Sequence, residues 1–406
     1  MESQISFMTK VIVIIGGGAA GFFGAITSAK TYPHSQVILL EKTRSLLTKV
    51  KVSGGGRCNV THACFDPKEL IKNYPRGSKE LLGPFHQFQP QDTIDWFEAR
   101  GVTLKTEDDG RMFPITDSSE TIINCLQEEA KKTGVDIRLQ QSNRKNRKKE
   151  EGFIIHFSSG ETLTCDKILL ATGSSQEGYR LAESLGHTIV PPVPSLFTFN
   201  IPDSPLFQLS GISVDPVLLK IEETNLKQQG PLLITHWGFS GPAALKLSAW
   251  GARILHKMDY KANLSVNWLP KQENLSAYFI RLKADTPHHN ISLLNPPTIA
   301  KQLWKELLIK AQIDPHKKMK DLPDKHLLNL ASFLQNDIYQ IQGKTTYKQE
   351  FVICGGIALD EVNFKTMESK KCPGLYFAGE ILDIDGVTGG FNFQNAWTTS
   401  WIAGSN

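Results

Sequence analysis

A buried strand that runs straight into glycines and then into a helix leaves few folds open to the chain around it. Val11 to Ile15 is an unbroken apolar run, Gly16-Gly17-Gly18-Ala19-Ala20-Gly21 follows, and an Ala/Phe/Ile-rich stretch continues to Lys30 before a second apolar run ends in Glu41-Lys42. An apolar run, a segment of helical period and another apolar run mark a βαβ unit with parallel strands, so the expected class is α/β with a Rossmann-like, doubly wound sheet. Gly16, Gly18 and Gly21 spell G-x-G-x-x-G where strand turns into helix. The first permits the turn, the second lets backbone approach a pyrophosphate, and the third lets helix and sheet pack closely. The helix-opening amides around Ala19 and Ala20 then face phosphate charge. Glu41 lies 20 residues beyond Gly21, where a carboxylate hydrogen-bonds ribose hydroxyls. A ligand-free glycine turn would need neither the second strand nor the acid.

The fingerprint alone does not separate NAD from FAD. A NAD enzyme usually continues into its second mononucleotide half, whereas here Lys49 leads into a second glycine-rich loop, Ser53-Gly54-Gly55-Gly56-Arg57-Cys58-Asn59. A later apolar run, KILL, ends at Ala171-Thr172-Gly173 like a central strand of the same sheet, and the C-terminal region carries Gly379-Glu380, Asp383 and Gly389-Gly390-Phe391-Asn392. In FAD proteins an acid after such a strand lies against the ribityl chain, the role expected of Glu380. A following helix aims its N-terminus at the ring edge that gains negative charge on reduction, the role expected of Gly389 to Asn392.

Composition sets outer limits. The formal charge is +4, compatible with an anionic partner without requiring one. No apolar run approaches the roughly 18 residues of a membrane span, and none resembles a signal-peptide core, so the expectation is a soluble, cytoplasmic chain with no membrane partner. The six cysteines are scattered, with no C-x-x-C pair and no Cys/His cluster of zinc-ligand spacing, so no metal site is expected.

Texture divides the chain. Residues 1–194 read as the first part of the dinucleotide-binding domain, and VPPVPS near its end reads as a proline-rich joint between domains. Residues 195–345 read as an insert, strand-like over 195–270 and mainly helical over 271–340. Residues 346–406 read as the second part of the first domain.

These segments together resemble the bacterial flavoprotein family labelled BaiN-like or YhiN-like NAD(P)/FAD-dependent oxidoreductases, which includes aminoacetone-oxidase-like members. The resemblance is carried by Gly16–Gly21 with Glu41, by Lys49 and Ser53–Thr61, by Thr235-His236-Trp237-Gly238-Phe239-Ser240-Gly241-Pro242, by Cys354-Gly355-Gly356-Ile357, by Met367-Glu368-Ser369-Lys370 with Pro373–Glu380, and by Leu382–Gly386 with Gly389–Asn392. It implies an FAD-binding domain, a β-barrel-like insert and a small helical subdomain, with one dinucleotide site and NAD(P)H as a transient reductant. It also implies flavin chemistry of three kinds: reduction of steroid-like enones, reduction of a uridine in large-subunit ribosomal RNA to dihydrouridine, and oxidation of small amines. The chain departs from the family at Thr48, where Arg is common, at His62, where Asn is usual, and at Asn395, where Trp is frequent.

Reduction of an activated C=C bond needs a hydride donor stacked on the bond and a hydrogen-bond donor for the developing enolate. His236, Arg57 and Cys58 are the candidates for catalysis. Arg57 has a second, favoured role in holding FAD phosphate, and for Cys58 the competing reading is a buried, inert thiol. A histidine placed like His236 is often a satisfied core group instead. The run Arg144-Lys145-Asn146-Arg147-Lys148-Lys149 is expected at a hairpin tip, where it could touch RNA phosphates, although Glu150 and Glu151 follow at once and a solvated turn is favoured. His316, Lys317, Lys318, Lys320 and Lys325 form a second basic group. The leading reading is an FAD-dependent reductase acting on a small-molecule or ribosomal RNA substrate, a uracil first. Its rivals are an enone reductase, an amine oxidase and a non-catalytic FAD-containing RNA-binding factor.

Overall fold

The computed structural model describes residues 10–202, 204–345 and 352–406. The chain forms two compact units, one from residues 10–193 with 352–406 and the other from 194–345.

The first unit is built on a parallel sheet. Its strands are β1 (Val11–Ile15), β2 (Gln36–Leu40), β3 (Asp136–Arg138), β4 (Lys167–Leu170) and β5 (Leu375–Phe377), in spatial order β3-β2-β1-β4-β5. Short antiparallel strands Glu368–Ser369 and Val362–Asn363 extend the β5 edge. Order reverses between β1 and β4, and in such sheets the crevice at that reversal, beyond the carboxyl ends of the strands, is where ligands bind. Helix α1 (Ala19–Thr31) is apolar on every side and buried over Ala20–Ser28, as a helix enclosed between sheet and neighbours must be. Helix α2 (Ser119–Lys132) starts at a Ser118 cap that accepts from the Glu120 amide, and it matches the amphipathic segment seen in the sequence. The last helix, α3 (Phe391–Ser405), packs along α1. Their approach is close: a Cβ on Gly404 would lie 2.8 Å from the Gly24 carbonyl oxygen.

The proline-rich segment, within which the two units divide, is a strand, Ile189–Pro194, paired with Ile353–Ile357; proline blocks a helix but its fixed φ suits an extended edge. Two expectations are corrected here. The basic run is not a hairpin tip but a strand, Asn143–Lys148, antiparallel to Phe153–Phe157; a register shift between Asn143 and Lys145 leaves both asparagines buried, and that burial outweighs the local charge density. The other lies in the second unit. Residues 195–270 contain, besides strands, the 17-residue helix Gly241–Lys257, whose Ala243, Ala244, Leu247 and Leu255 are buried at helical spacing.

The second unit has a seven-stranded antiparallel sheet ordered Asp337–Gln342, Lys261–Asn267, Ser213–Ile221, Lys227–Ile234, Gly238–Ser240, Thr198–Asn200 and Lys344–Thr345. Helices Leu275–Asp285, Lys301–Lys310 and Asp324–Gln335 share its apolar core, centred on Trp268, Phe279 and Trp304.

Within the first unit, a buried polar knot ties residues 352–406 to the N-terminal part. The His187 ring lies between Glu361 Oε2 (3.0 Å from Nδ1) and Ser369 Oγ (2.8 Å from Nε2). Ser369 Oγ already accepts from the Lys371 and Cys372 amides, at 3.0 and 2.7 Å. Its hydroxyl must therefore donate to Nε2, and Nδ1–H donates to Glu361. Burial lowers the His187 pKa, outweighing the raising effect of Glu361. Burial pushes the Glu361 carboxyl up, but hydrogen bonds from Lys371 and Thr188 hold it down at about 2. A histidine with a depressed folded pKa stabilises fully above its ordinary value of 6.5 and loses that contribution as pH falls below it. Urea titrations from pH 7.5 to 5 should therefore show declining stability. That decline should shrink in His187→Gln; an unchanged slope would show that other groups set it.

Candidate functional site

The glycine turn is shaped by contacts that admit no side chain. Gly16 has φ +117°, and a Cβ there would lie 2.5 Å from the Ala171 carbonyl oxygen, while a Cβ on Gly21 would lie 1.8 Å from that of Gly16. Gly18 differs: a Cβ there would meet no protein atom within 4 Å, so nothing within the chain calls for glycine. Gly18 caps α1 without any side-chain hydrogen bond to its first turn, leaving those amides, including Ala19 and Ala20, directed at the crevice. Glu41 Oε2 accepts from the Gly17 amide and Oε1 from the Thr43 amide, both at 2.8 Å. The acid is thus fixed by the turn it serves, with acceptor capacity to spare. Neighbouring Lys42 reaches out to Ser175 and Glu177.

The two ends of the chain meet beside this turn. Lys49 Nζ pairs with Glu380 Oε2 at 2.5 Å. A Cβ on Gly173 would be 3.7 Å from Glu380 Oε2, and one on Gly379 would be 3.0 Å from the Ala20 Cβ. The Gly379 amide donates to Thr399 Oγ1, and Asp383 Oδ1 accepts from the Gly355 amide.

The second glycine loop wraps the start of α3. Ser53 Oγ donates to the Val50 carbonyl, and Gly54, Gly55 and Gly56 all have positive φ. Asn59, with its amide oriented to satisfy its neighbours, donates to the Thr61 carbonyl and accepts from the Gly390 amide at 2.9 Å. Val60 accepts from the Trp397 indole. Gln394 Oε1 accepts from Thr61 and Thr93, at 2.6 and 2.9 Å, and its Nε2 donates to Thr398. His62 stacks on Phe391 and contacts the Gly389 carbonyl at 2.9 Å. Asn392 exchanges two hydrogen bonds with the Gly386 backbone. Arg76 grips the fully buried Asp385 with two nitrogens, and Tyr74 donates to the Phe391 carbonyl.

Of the three catalytic candidates, two belong to this region. Arg57 Nη1 pairs with Glu107 at 2.6 Å, and its guanidinium lies 3.9 Å above the Phe113 ring, leaving its remaining N–H groups for a ligand. Cys58 is fully buried, and burial pushes its thiol up to about 12, against a lowering hydrogen bond with Ser53. A thiol raised this far lies outside the range best matched to general acid catalysis near neutral pH. Cys58→Ser is expected to keep turnover within about threefold; a hundredfold loss would make the thiol the proton donor. His236 is in the second unit, exposed beside Trp237 in the turn after Lys227–Ile234, not the core group that its segment suggested. Thr235 Oγ1 holds that turn through the Trp237 and Gly238 amides.

Several buried groups here have no partner. Thr172 Oγ1, the Tyr179 hydroxyl and both ends of the Asn395 amide make no hydrogen bond. Burial, with smaller contributions from the charges of Glu380 and Asp383, raises the Tyr179 pKa. An unmet buried polar group costs about 1–3 kcal/mol, so three on segments next to the crevice fit a site completed by a polar ligand. With the open side of Gly18 they suit FAD. Sequence reasoning missed Gln394, Tyr179 and the Arg76–Asp385 pair. Only the polar cluster Gln394-Asn395-Thr398-Thr399, on a helix otherwise made to be buried, signalled the first. Among the described residues no group of His, Cys, Asp and Glu could hold a metal ion, and no helix is long and apolar enough to cross a membrane.

Comparison with known proteins agrees with this geometry. The chain is 31% identical over 401 residues to the ribosomal RNA dihydrouridine synthase of Escherichia coli K12, covering 96% of each chain. It is 28% identical over 408 residues to the 3-dehydro-bile acid delta(4,6)-reductase of Clostridium scindens, covering 97% of this chain and 98% of the other. The solved 3-ketosteroid-delta4-(5alpha)-dehydrogenase of Rhodococcus jostii RHA1 shares the fold, with a TM-score of 0.52 at 14% identity, covering 99% of this chain and 98% of that one. The family model described as the HI0933-like protein Rossmann domain matches residues 10–406, and the chain therefore belongs to the HI0933-like, BaiN/YhiN-like family with its Rossmann-type α/β fold.

Proposed function

We propose that the chain is an FAD-dependent oxidoreductase that reduces an activated C=C bond with NAD(P)H, and that its substrate is a uridine of large-subunit ribosomal RNA, converted to dihydrouridine. The observation that carries the reading is the double junction of Lys49 with Glu380 and Asn59 with Gly390. It joins the first glycine turn, through the second loop, to the start of α3, a path suited to a long dinucleotide. FAD, when bound, supplies the hydride chemistry.

The chain's own groups divide the remaining work. Glu41 offers its spare acceptor capacity to an adenosine ribose, and the first turn of α1 offers amides to the diphosphate. Glu380, Asp383, Tyr179 and Thr172 are the polar groups that would hold FAD between its diphosphate and its ring. The start of α3, fixed by Asn59 and Asn392, would offer the positive end of a helix dipole to the ring edge of bound FAD. The remaining N–H groups of Arg57 can orient a carbonyl of the substrate.

Both similar relatives have names that describe double-bond chemistry, one on ribosomal RNA and one on a bile acid. The RNA reading is favoured by the higher identity and the basic charge. The bile-acid relative supports a small-molecule enone reductase as the second reading. Purified protein mixed with NADPH should lose flavin absorbance, and unmodified ribosomal RNA should restore it while gaining dihydrouridine detectable by mass spectrometry. RNA that neither restores the colour nor gains dihydrouridine, while an enone does restore it, would replace the first reading by the second.

A further inference from the structure

The basic strand belongs to a three-stranded sheet, Asn143–Lys148, Phe153–Phe157 and Thr162–Cys165. The pairing register sorts its residues onto two faces. Asn146 lies opposite Ile155 and Lys148 opposite Phe153 on the inner face. There Asn143 bonds to Asn146, and Lys148 lies 4.4 Å above the Phe153 ring while donating to the Pro373 carbonyl. On the outer face Lys145 lies opposite His156, which lies opposite Thr162, and Arg147 lies opposite Ile154, which lies opposite Thr164. Lys145, Arg147, Thr162 and Thr164 are exposed, as is Lys149 just beyond the strand. Among the described residues no acid occupies this face, and no ion pair engages Lys145, Arg147 or Lys149. Glu150 and Glu151 follow in the turn, outside the sheet.

We infer that this outer face docks the phosphate backbone of RNA; the inference rests on the RNA reading above. A charge run in a solvated turn would have no fixed spacing. In a strand, Lys145 and Arg147 point the same way about 7 Å apart, a separation that suits successive phosphates of one nucleic-acid strand. Lysine, arginine, histidine and threonine hydroxyls all make phosphate contacts that position a partner without reading its sequence. Charge on an edge strand also discourages unwanted strand pairing, but that role ends at the edge. Here the acid-free polar face continues through His156 to Thr162 and Thr164 on the other two strands. The face lacks the protruding apolar residues of a membrane-inserting surface.

The test compares native holoprotein with K145Q/R147Q/K149Q and with a control of equal charge change in the second unit, K317Q/K318Q/K320Q, using a fluorescent unmodified ribosomal RNA fragment at several salt concentrations. The sheet variant should bind roughly tenfold or more weakly at low salt, and its slope of log affinity against log salt should be shallower by about 2. Reduction of bound FAD by NADPH should be unchanged in all three proteins. If the control loses as much as the sheet variant, or the sheet variant loses nothing, the inference is wrong while the RNA reading stands. If native protein neither binds nor modifies the RNA, the RNA reading falls and takes this face with it. Binding of polyglutamate, but not of RNA, would assign the face to an acidic protein and overturn it as well.

Discussion

Gly21→Val is expected to give protein that is either unfolded or free of FAD. At this position even a methyl group would sit 1.8 Å from the Gly16 carbonyl oxygen, and that oxygen belongs to backbone clamped between β2 and β4. Gly16 donates to the Leu40 carbonyl, and Ala171 donates to that of Ile15. The start of α1 would have to move by more than an ångström, carrying away the amides of its first turn. Overpacking of a close-packed core typically costs 1–3 kcal/mol, and a collision with fixed backbone is expected at or above about 3 kcal/mol. The ratio of flavin to protein absorbance in the purified variant, with its thermal midpoint, checks both consequences. A yellow Gly21→Val protein of near-native stability would show that the turn is not the rigid cradle described above.

Asp385→Ala carries the second large effect. The aspartate is fully buried and its partner Arg76 has a side chain only 12% exposed. Removing the carboxylate leaves a guanidinium in a site built for an ion pair, a change that costs about 3–5 kcal/mol. The loss reaches the proposed site because Asp385 lies between Asp383, bonded to the Gly355 amide, and Gly386, bonded to Asn392 at the start of α3. FAD affinity should therefore fall together with stability. In Arg76→Met/Asp385→Leu no charge is stranded, and most of the stability should return. Chemical denaturation of the single and double variants measures the difference. Equal losses in both would mean that the pair acts through shape and not through charge.

How legible the molecule was in its sequence varied with the range of the forces involved. The parallel sheet and the glycine turn were plain, because an apolar run, a turn and a helical period are local patterns. The strand Asn143–Lys148 was obscured because its inward residues are asparagines that hydrogen-bond each other, and a polar run reads as turn. The helix Gly241–Lys257 was overlooked between strands, although Ala243, Ala244 and Leu247 carried its period. In the site, residue types named the parts but not their partners. Glu41 was expected to face a ribose, yet its two oxygens also brace the Gly17 and Thr43 amides. Asn59 was expected to touch the cofactor, and its contact is with Gly390, some 330 residues away in the chain. Long-range pairings such as Lys49–Glu380 and Arg76–Asp385 leave no periodic trace, so only three-dimensional structure reveals them.

The central claim, that segments from both ends of the chain grip one FAD, is tested most directly by denaturing the purified protein and identifying and counting what it releases. One FAD per chain, seen as flavin absorbance in the native protein and by mass spectrometry after release, is the predicted result. Folded, colourless protein that takes up no flavin when FAD is supplied would contradict it.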